Sequence, residues 1–244
     1  MFTDTLIEER MYSTEYDSST GRARVVVNTC TIPKDVLEPA MAILKGVLMS
    51  GIAVSPYIKL CDEGEEFHGF VVPSGHCALV TVCSITLCGF ILKAGIPIRP
   101  KLGGIVDINN CEATRFTQVM SYNSTTVDPL EALLSQRLTS VGTMVATGTG
   151  KILASLHECP IVARDGFQYL LESLAGVGLT GMLEVGEPNA QVLGVPVQVD
   201  HFGFVIVGGT NPMAAMQEGG IPITLKAISG VVDLSELSHF EDVI

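Results

Sequence analysis

Gly95-Ile96-Pro97-Ile98 and Gly220-Ile221-Pro222-Ile223 stand 125 positions apart, and the residues around them agree as well. Upstream, His76 meets His201, Val80 meets Val205 and Val82 meets Val207; downstream, Lys101 meets Lys226. After one inserted residue, Gly104, Val106 and Asp107 meet Gly230, Val232 and Asp233. Eleven identities in so short a window, four of them contiguous, are too many for chance. Fainter agreement precedes them. Asp35, Leu44, Gly46 and Gly51 meet Asp165, Leu174, Gly176 and Gly181 at a spacing of 130, and Thr20-Gly21-Arg22 resembles Thr149-Gly150-Lys151 at 129. A period this long is not that of a solenoid. It predicts two copies, residues 20–107 and 149–233, joined by an unrepeated connector at 108–148. They would form two similar lobes about a pseudo-twofold axis within a single domain spanning 1–244.

Each copy reads as β-α-β-β-α-β, the split βαβ order of an α+β fold. Arg24–Thr29 leans to β-branched residues, as a strand does. Pro33–Met49 carries Val36, Leu37, Ala40, Ile43, Leu44, Val47 and Leu48 at helical spacing. Ile52–Leu60 is a strand, Gly64–Gly69 a polar turn, Ala78–Cys83 an apolar strand and Ile85–Lys93 a buried helix stopped by Gly95. Ile105–Ile108 closes the copy. The second copy repeats the order with Lys151–Ser155, Gly166–Leu174, Met182–Val185, Phe204–Val207, Met213–Gln217 and Val231–Leu234. In the connector, Asp128-Pro129-Leu130-Glu131 has the capping residue, the Pro and the Glu that open a helix.

Composition narrows the function. Of 244 residues 47% are hydrophobic and only 16% charged, so disorder is excluded. A chain this poor in charge is expected to cover part of its surface with another copy, as a homo-oligomer and in the simplest case a dimer. Fourteen basic against 26 acidic residues give a net charge of −12, and there is no run of cations to neutralise phosphates. Met1–Arg10 has no apolar core of a secretory signal. The apolar stretch Cys77–Ile98 is broken by Thr81, Ser84, Thr86, Gly89, Lys93, Gly95 and Pro97, so it reads as a buried strand and helix rather than a membrane span. Seven cysteines without CxxC pairs or zinc-finger histidines point to no metal site and to a reducing, cytoplasmic setting.

The strongest local signal for chemistry is Val205-Ile206-Val207-Gly208-Gly209-Thr210-Asn211-Pro212. An apolar strand runs into two glycines, a capping residue and a Pro at the helix start. Two readings stand: a tight strand–helix connection, or an anion site built from close backbone approach and helix-start N–H groups. The matching turn of the first copy, Cys83-Ser84-Ile85-Thr86, is also rich in small polar groups, and two such turns facing each other would line one cleft. Lys101 and Lys226 are the cations kept at matching positions; each is either a solvated strand-end lysine or the positive charge for a carboxylate. Asp107 and Asp233 read as turn or cap residues, and His76 and His201 as structural. Gly148-Thr149-Gly150-Lys151 misses the phosphate-loop pattern at Val145 and Ile152. Cys83 reads as a buried, inert thiol.

Thr81-Val82-Cys83-Ser84-Ile85-Thr86, Leu92–Gly104, Thr126-Val127-Asp128-Pro129-Leu130, Gly208–Ala215 and the opening Tyr16–Gly21 together resemble the regulatory domain of the NrpR family of archaeal nitrogen repressors. The likeness runs from Leu6 to Leu237. It implies a non-enzymatic, effector-sensing domain that binds 2-oxoglutarate, with no further cofactor, and so relieves repression of nitrogen-assimilation genes. The family places a winged helix-turn-helix ahead of this domain, and DNA contact is expected only through such a domain or partner. Combined with the turns, the resemblance places the ligand at Cys83, Ser84, Thr86, Gly208, Gly209, Thr210 and Asn211, with Lys101 or Lys226 at a carboxylate. The competing classes are an enzyme acting on an oxo-acid and a ligand-free oligomerisation module.

Overall fold

The structure, a computed structural model, describes residues 2–123 and 125–243; Ser124, within the connector, lies outside the described residues, as do the two terminal ones. In chain order the elements are α1 (Thr3–Ser13), β1 (Glu15–Asp17), β2 (Arg22–Pro33), α2 (Leu37–Met49), β3 (Tyr57–Cys61), β4 (Glu66–Phe67), β5 (Phe70–Val71), β6 (His76–Val82), α3 (Ile85–Lys93) and β7 (Arg99–Asn109). There follow β8 (Glu112–Ser121), α4 (Pro129–Ser135), α5 (Val141–Thr147), β9 (Gly150–Pro160), α6 (Arg164–Ala175), β10 (Met182–Val185), β11 (His201–Val207), α7 (Asn211–Glu218), β12 (Thr224–Asp233) and β13 (Ser238–His239). No helix is long and apolar enough to cross a membrane among the described residues.

The repeated Gly-Ile-Pro-Ile has a local cause. Gly95 and Gly220 both take φ +81°, just past the ends of α3 and α7. Their amides donate to Leu92 and Gln217, and the Ile96 and Ile221 amides donate to Ile91 and Met216. That is the paired hydrogen-bond pattern of a Schellman stop, in which the left-handed glycine satisfies the last carbonyls and the next apolar residue folds back onto the helix. Ile96 and Ile221 are each 6% exposed. The Asp128 cap is also as the sequence predicts: its carboxylate accepts from the Leu130 and Glu131 amides, with Pro129 in the first turn.

The two halves share their element order and their ladder registers. Val27 lies opposite Val82 in one sheet and Ala154 opposite Val207 in the other. The registers equate first strands at a spacing of 127, so the faint sequence matches at 129 and 130 are not the structural ones. The two lobes are not separate, however. One sheet runs β12-β2-β6-β3, with β1 and β13 at its margins; the other runs β7-β9-β11-β10, with β8 outside β7. In each, the fourth strand of one copy completes the sheet of the other. The helices cross as well: α7 packs on α2, while Leu87 of α3 lines one surface pocket together with Gln168 and Leu171 of α6. A single apolar core runs through both halves.

Several boundaries differ from expectation. The predicted helix over Pro33–Met49 opens with a single tight turn, Lys34–Val36, before α2. The polar turn at Gly64–Gly69 is the base of a two-stranded hairpin, β4–β5, whose tip His68-Gly69 takes φ +47° and +79°, the conformation of a twist-matched two-residue hairpin turn. The connector holds an edge strand, β8, and two helices rather than one. Its alternation is weak because most of β8 faces solvent.

Paired strand–helix turns at the junction of the halves

The turns at 83–86 and 208–211 are built alike. The Cys83 amide donates to Val26 O at 2.8 Å, and the Gly208 amide to Leu153 O at 2.7 Å. Three residues on, a polar side chain clamps the same strand residue. Thr86 Oγ1 accepts from the Val26 amide at 2.9 Å and donates to its carbonyl at 3.1 Å. Asn211 Oδ1 accepts from the Leu153 amide at 2.8 Å, and Nδ2 donates to Leu153 O at 3.0 Å and to Ile52 O at 3.1 Å. Thr86 and Asn211 are both fully buried. Their immediate role is to lock each turn to the first strand of its own copy.

The turns do meet, but by contact and not across a cleft. A Cβ placed on Gly209 would stand 2.9 Å from Cys83 Cα, Val82 O and Asn28 Nδ2. Thr81, which faces Asn28 across the ladder, donates from Oγ1 to Gly209 O at 3.5 Å. A Cβ placed on Gly208 would likewise stand 2.8 Å from Leu153 Cβ. The second copy's turn therefore rests on the Asn28–Thr81 pair of the first copy's sheet. Cys83, Ser84, Thr86, Gly208, Gly209, Thr210 and Asn211 are all buried, which corrects the expectation of an open cleft. Two buried polar atoms here have no protein partner: Asn28 Nδ2 and Thr210 Oγ1.

Neither lysine joins the turns. Lys101 lies toward the opposite end of its sheet, where Nζ bonds Glu158 Oε1 and Pro196 O. Glu158 is 3% exposed and also accepts from the Gln198 amide at 3.1 Å. Lys226 pairs with Thr29, so it points to the sheet face opposite Asn28. Burial pushes the Cys83 thiol up to about 12, outweighing the nearby Ile85 and Ser84 amides. A thiol this protonated is inert, as expected. His76 and His201 bond the Ser74 and Val199 carbonyls through Nδ1. Asp107 pairs with Lys151 at 3.1 Å, and Asp233 caps the turn at Leu234–Glu236.

Sequence reading missed the polar residues set inside apolar strands. Asn28 is one, accepting from the Ile228 amide at 3.1 Å through Oδ1. In the other half, Ser155 Oγ and His157 Nε2 lie 2.8 Å apart, with Cys88 Sγ 3.6 Å from the same nitrogen. Tyr122 stacks on the His157 ring at 6.5 Å. Burial lowers the His157 imidazole to about 3 and raises the Asp128 carboxyl to about 6. The available signal was Asn28 directly after Val25-Val26-Val27, and Ser155 and His157 on either side of Leu156 after Ile152-Leu153-Ala154, since polar groups are buried only with partners or a purpose.

A sequence model of the NrpR regulatory domains NRD1 and 2 matches residues 1–239. The global nitrogen regulator NrpRI of Methanosarcina mazei is 34% identical over 238 residues, covering 98% of this chain and 73% of that protein. The global nitrogen regulator NrpR of Methanococcus maripaludis is 31% identical over 234 residues, 96% of this chain but 39% of that protein. Among solved structures, a nitrogen repressor-like protein from Methanococcus jannaschii superposes with a TM-score of 0.83 at 29% identity, covering 98% of this chain and 99% of that one.

Proposed function

This chain belongs to the family of NrpR regulatory domains, and we propose that it is the effector-sensing part of a nitrogen-responsive transcriptional repressor, binding 2-oxoglutarate to relieve repression. The observation that carries the reading is the junction of the two turns. Asn28 Nδ2 and Thr210 Oγ1 are buried there without protein partners, and an unsatisfied buried donor costs about 1–3 kcal/mol. Both can donate to a carboxylate; the start of α7 adds little, because the Asn211 amide donates to Gly208 O, Pro212 has no N–H and the Ala214 amide donates to Thr210 O. The ligand field has to be local, because a net charge of −12 repels a dianion at long range.

Reaching these donors requires the Gly209–Cys83 contact to part. Sensing then has a physical form: one packing of the turns excludes the effector and another accepts it, and the effector shifts the population by its differential affinity. We further propose that the chain acts as a homo-oligomer, in the simplest case a dimer, and meets DNA only through a winged-helix domain or partner. Calorimetry with 2-oxoglutarate tests the reading. Wild type should bind, and Thr210→Val should bind about tenfold more weakly for the loss of one hydrogen bond of ~1.4 kcal/mol. A folded wild type that ignores millimolar ligand refutes it.

A further inference from the structure

The two matching lysines sit in unlike surroundings, and the difference lies in one ladder position. In the second half, Arg99 lies opposite Glu158, and the buried Glu158 carboxylate takes both Lys101 Nζ and the Gln198 amide. The same ladder position of the first half pairs Thr224 with Thr31. Lys226 itself pairs with Thr29, so the first half has a threonine, Thr31, at the ladder position where the second has the glutamate that takes Lys101. Among the described residues no carboxylate lies within ion-pair distance of Lys226.

The space beside Lys226 is lined by Val27, Thr29, Phe67, His68, Ser229 and Phe70, with a volume of about 60 Å³. That is room for more than one water molecule, and so for one carboxylate head. Thr29 Oγ1 and Ser229 Oγ lie 2.8 Å apart on its wall, and Ser229 also bonds Val27 O. In the second half the place of Thr29 is taken by Leu156, so hydroxyls line only the half whose lysine has no internal partner. The β4–β5 hairpin forms the roof. It is tied down by His68 Nε2 against Glu236 Oε2 at 2.8 Å, and Lys59 stands over the Phe67 ring.

We propose that this cavity binds the carboxylate of a small organic acid, held by Lys226 with Thr29 and Ser229. The second half carries its own carboxylate; the first takes one from solution. The site is independent of the turn junction, from which it is separated by the thickness of the β2–β12 sheet. A charge-assisted hydrogen bond to a lysine is among the stronger polar contacts; Lys226 is itself exposed, with Phe67 and Phe70 of the hairpin beside it.

The test is a titration of the 244-residue protein with acetate and with succinate, against chloride at matched ionic strength, followed by backbone amide shifts. Saturable shifts at Thr29, Gly69 and Ser229 in the tens-of-millimolar range or tighter are expected with both carboxylates and not with chloride. Thr31→Glu supplies an internal carboxylate beside an intact Lys226 and should weaken the response at least tenfold; Lys226→Met should do the same. Absence of saturable shifts in wild type overturns the proposal. So does an equal response to chloride, or a full response in folded Thr31→Glu. Shifts confined to Thr210 and Asn28 would also overturn it while leaving the reading of the turn junction standing.

Discussion

Gly209→Ala isolates the contact on which the two halves meet. The added Cβ would stand 2.9 Å from Cys83 Cα and Val82 O, both backbone atoms of the facing copy, and from Asn28 Nδ2. Side-chain rotation cannot relieve the first two, so one turn has to move by several tenths of an ångström against the other. Overpacking of a core costs about 1–3 kcal/mol, and the displacement also stretches the Thr81–Gly209 hydrogen bond, already 3.5 Å. Backbone conformation adds nothing, because Gly209 is not among the residues at positive φ and its counterpart, Ser84, carries a side chain at φ −58°. We expect a loss of about 2 kcal/mol, or roughly 4–8 °C in Tm for a chain of this length. Urea unfolding at fixed protein concentration measures it. Gly51→Ala is the reference: nothing lies within 4 Å of the new Cβ, but φ is +76°, so its cost of about 1 kcal/mol is conformational. If Gly209→Ala unfolds within about 0.5 kcal/mol of wild type, the turns do not bear on each other as described.

Lys101→Met should destabilise by about 3–5 kcal/mol, because it strands the buried Glu158 carboxylate. Lys226→Met should stay within about 0.5 kcal/mol of wild type by the same urea assay; equal losses would contradict the difference between the halves. Burial raises Asp128 to about 6 from an ordinary 3.8, so native protein holds a proton that unfolded chain has released. Its contribution is full below about pH 3.8 and lost as pH rises through 6, and Asp128→Asn should gain about 2–3 kcal/mol relative to wild type between pH 4 and 7. His157 runs the other way. With its imidazole lowered to about 3 by burial, stability is full above about pH 6.5 and falls as pH drops toward 3. Its ring resonances should not titrate between pH 8 and 5, and a midpoint in that range would show the ring to be hydrated.

What rests on neighbours along the chain could be read before any folding was known. Gly95-Ile96-Pro97 and Gly220-Ile221-Pro222 terminate their helices through hydrogen bonds spanning six residues, and Asp128 caps a helix two and three residues away. The repeated motif was legible for the same reason, since both halves keep these local devices. The position of the turns beside each other also followed from the repeat. Their burial did not, because it depends on which strand completes which sheet. β7 and β12 are both largely apolar strands after a glycine stop, and nothing in either segment states whether β2 or β9 will be its partner. That choice is made by non-local backbone pairing, whose favourable terms arrive only after the intervening loop has been closed. The lysines teach the same lesson at one position. Lys101 and Lys226 stand at matching positions, each following an Ile-Pro-Ile segment. What separates them is the residue opposite Arg99 or Thr224 on the neighbouring strand, Glu158 or Thr31, far away in the chain. Electrostatic partnership depends on distance in space, and only the tertiary structure sets that distance.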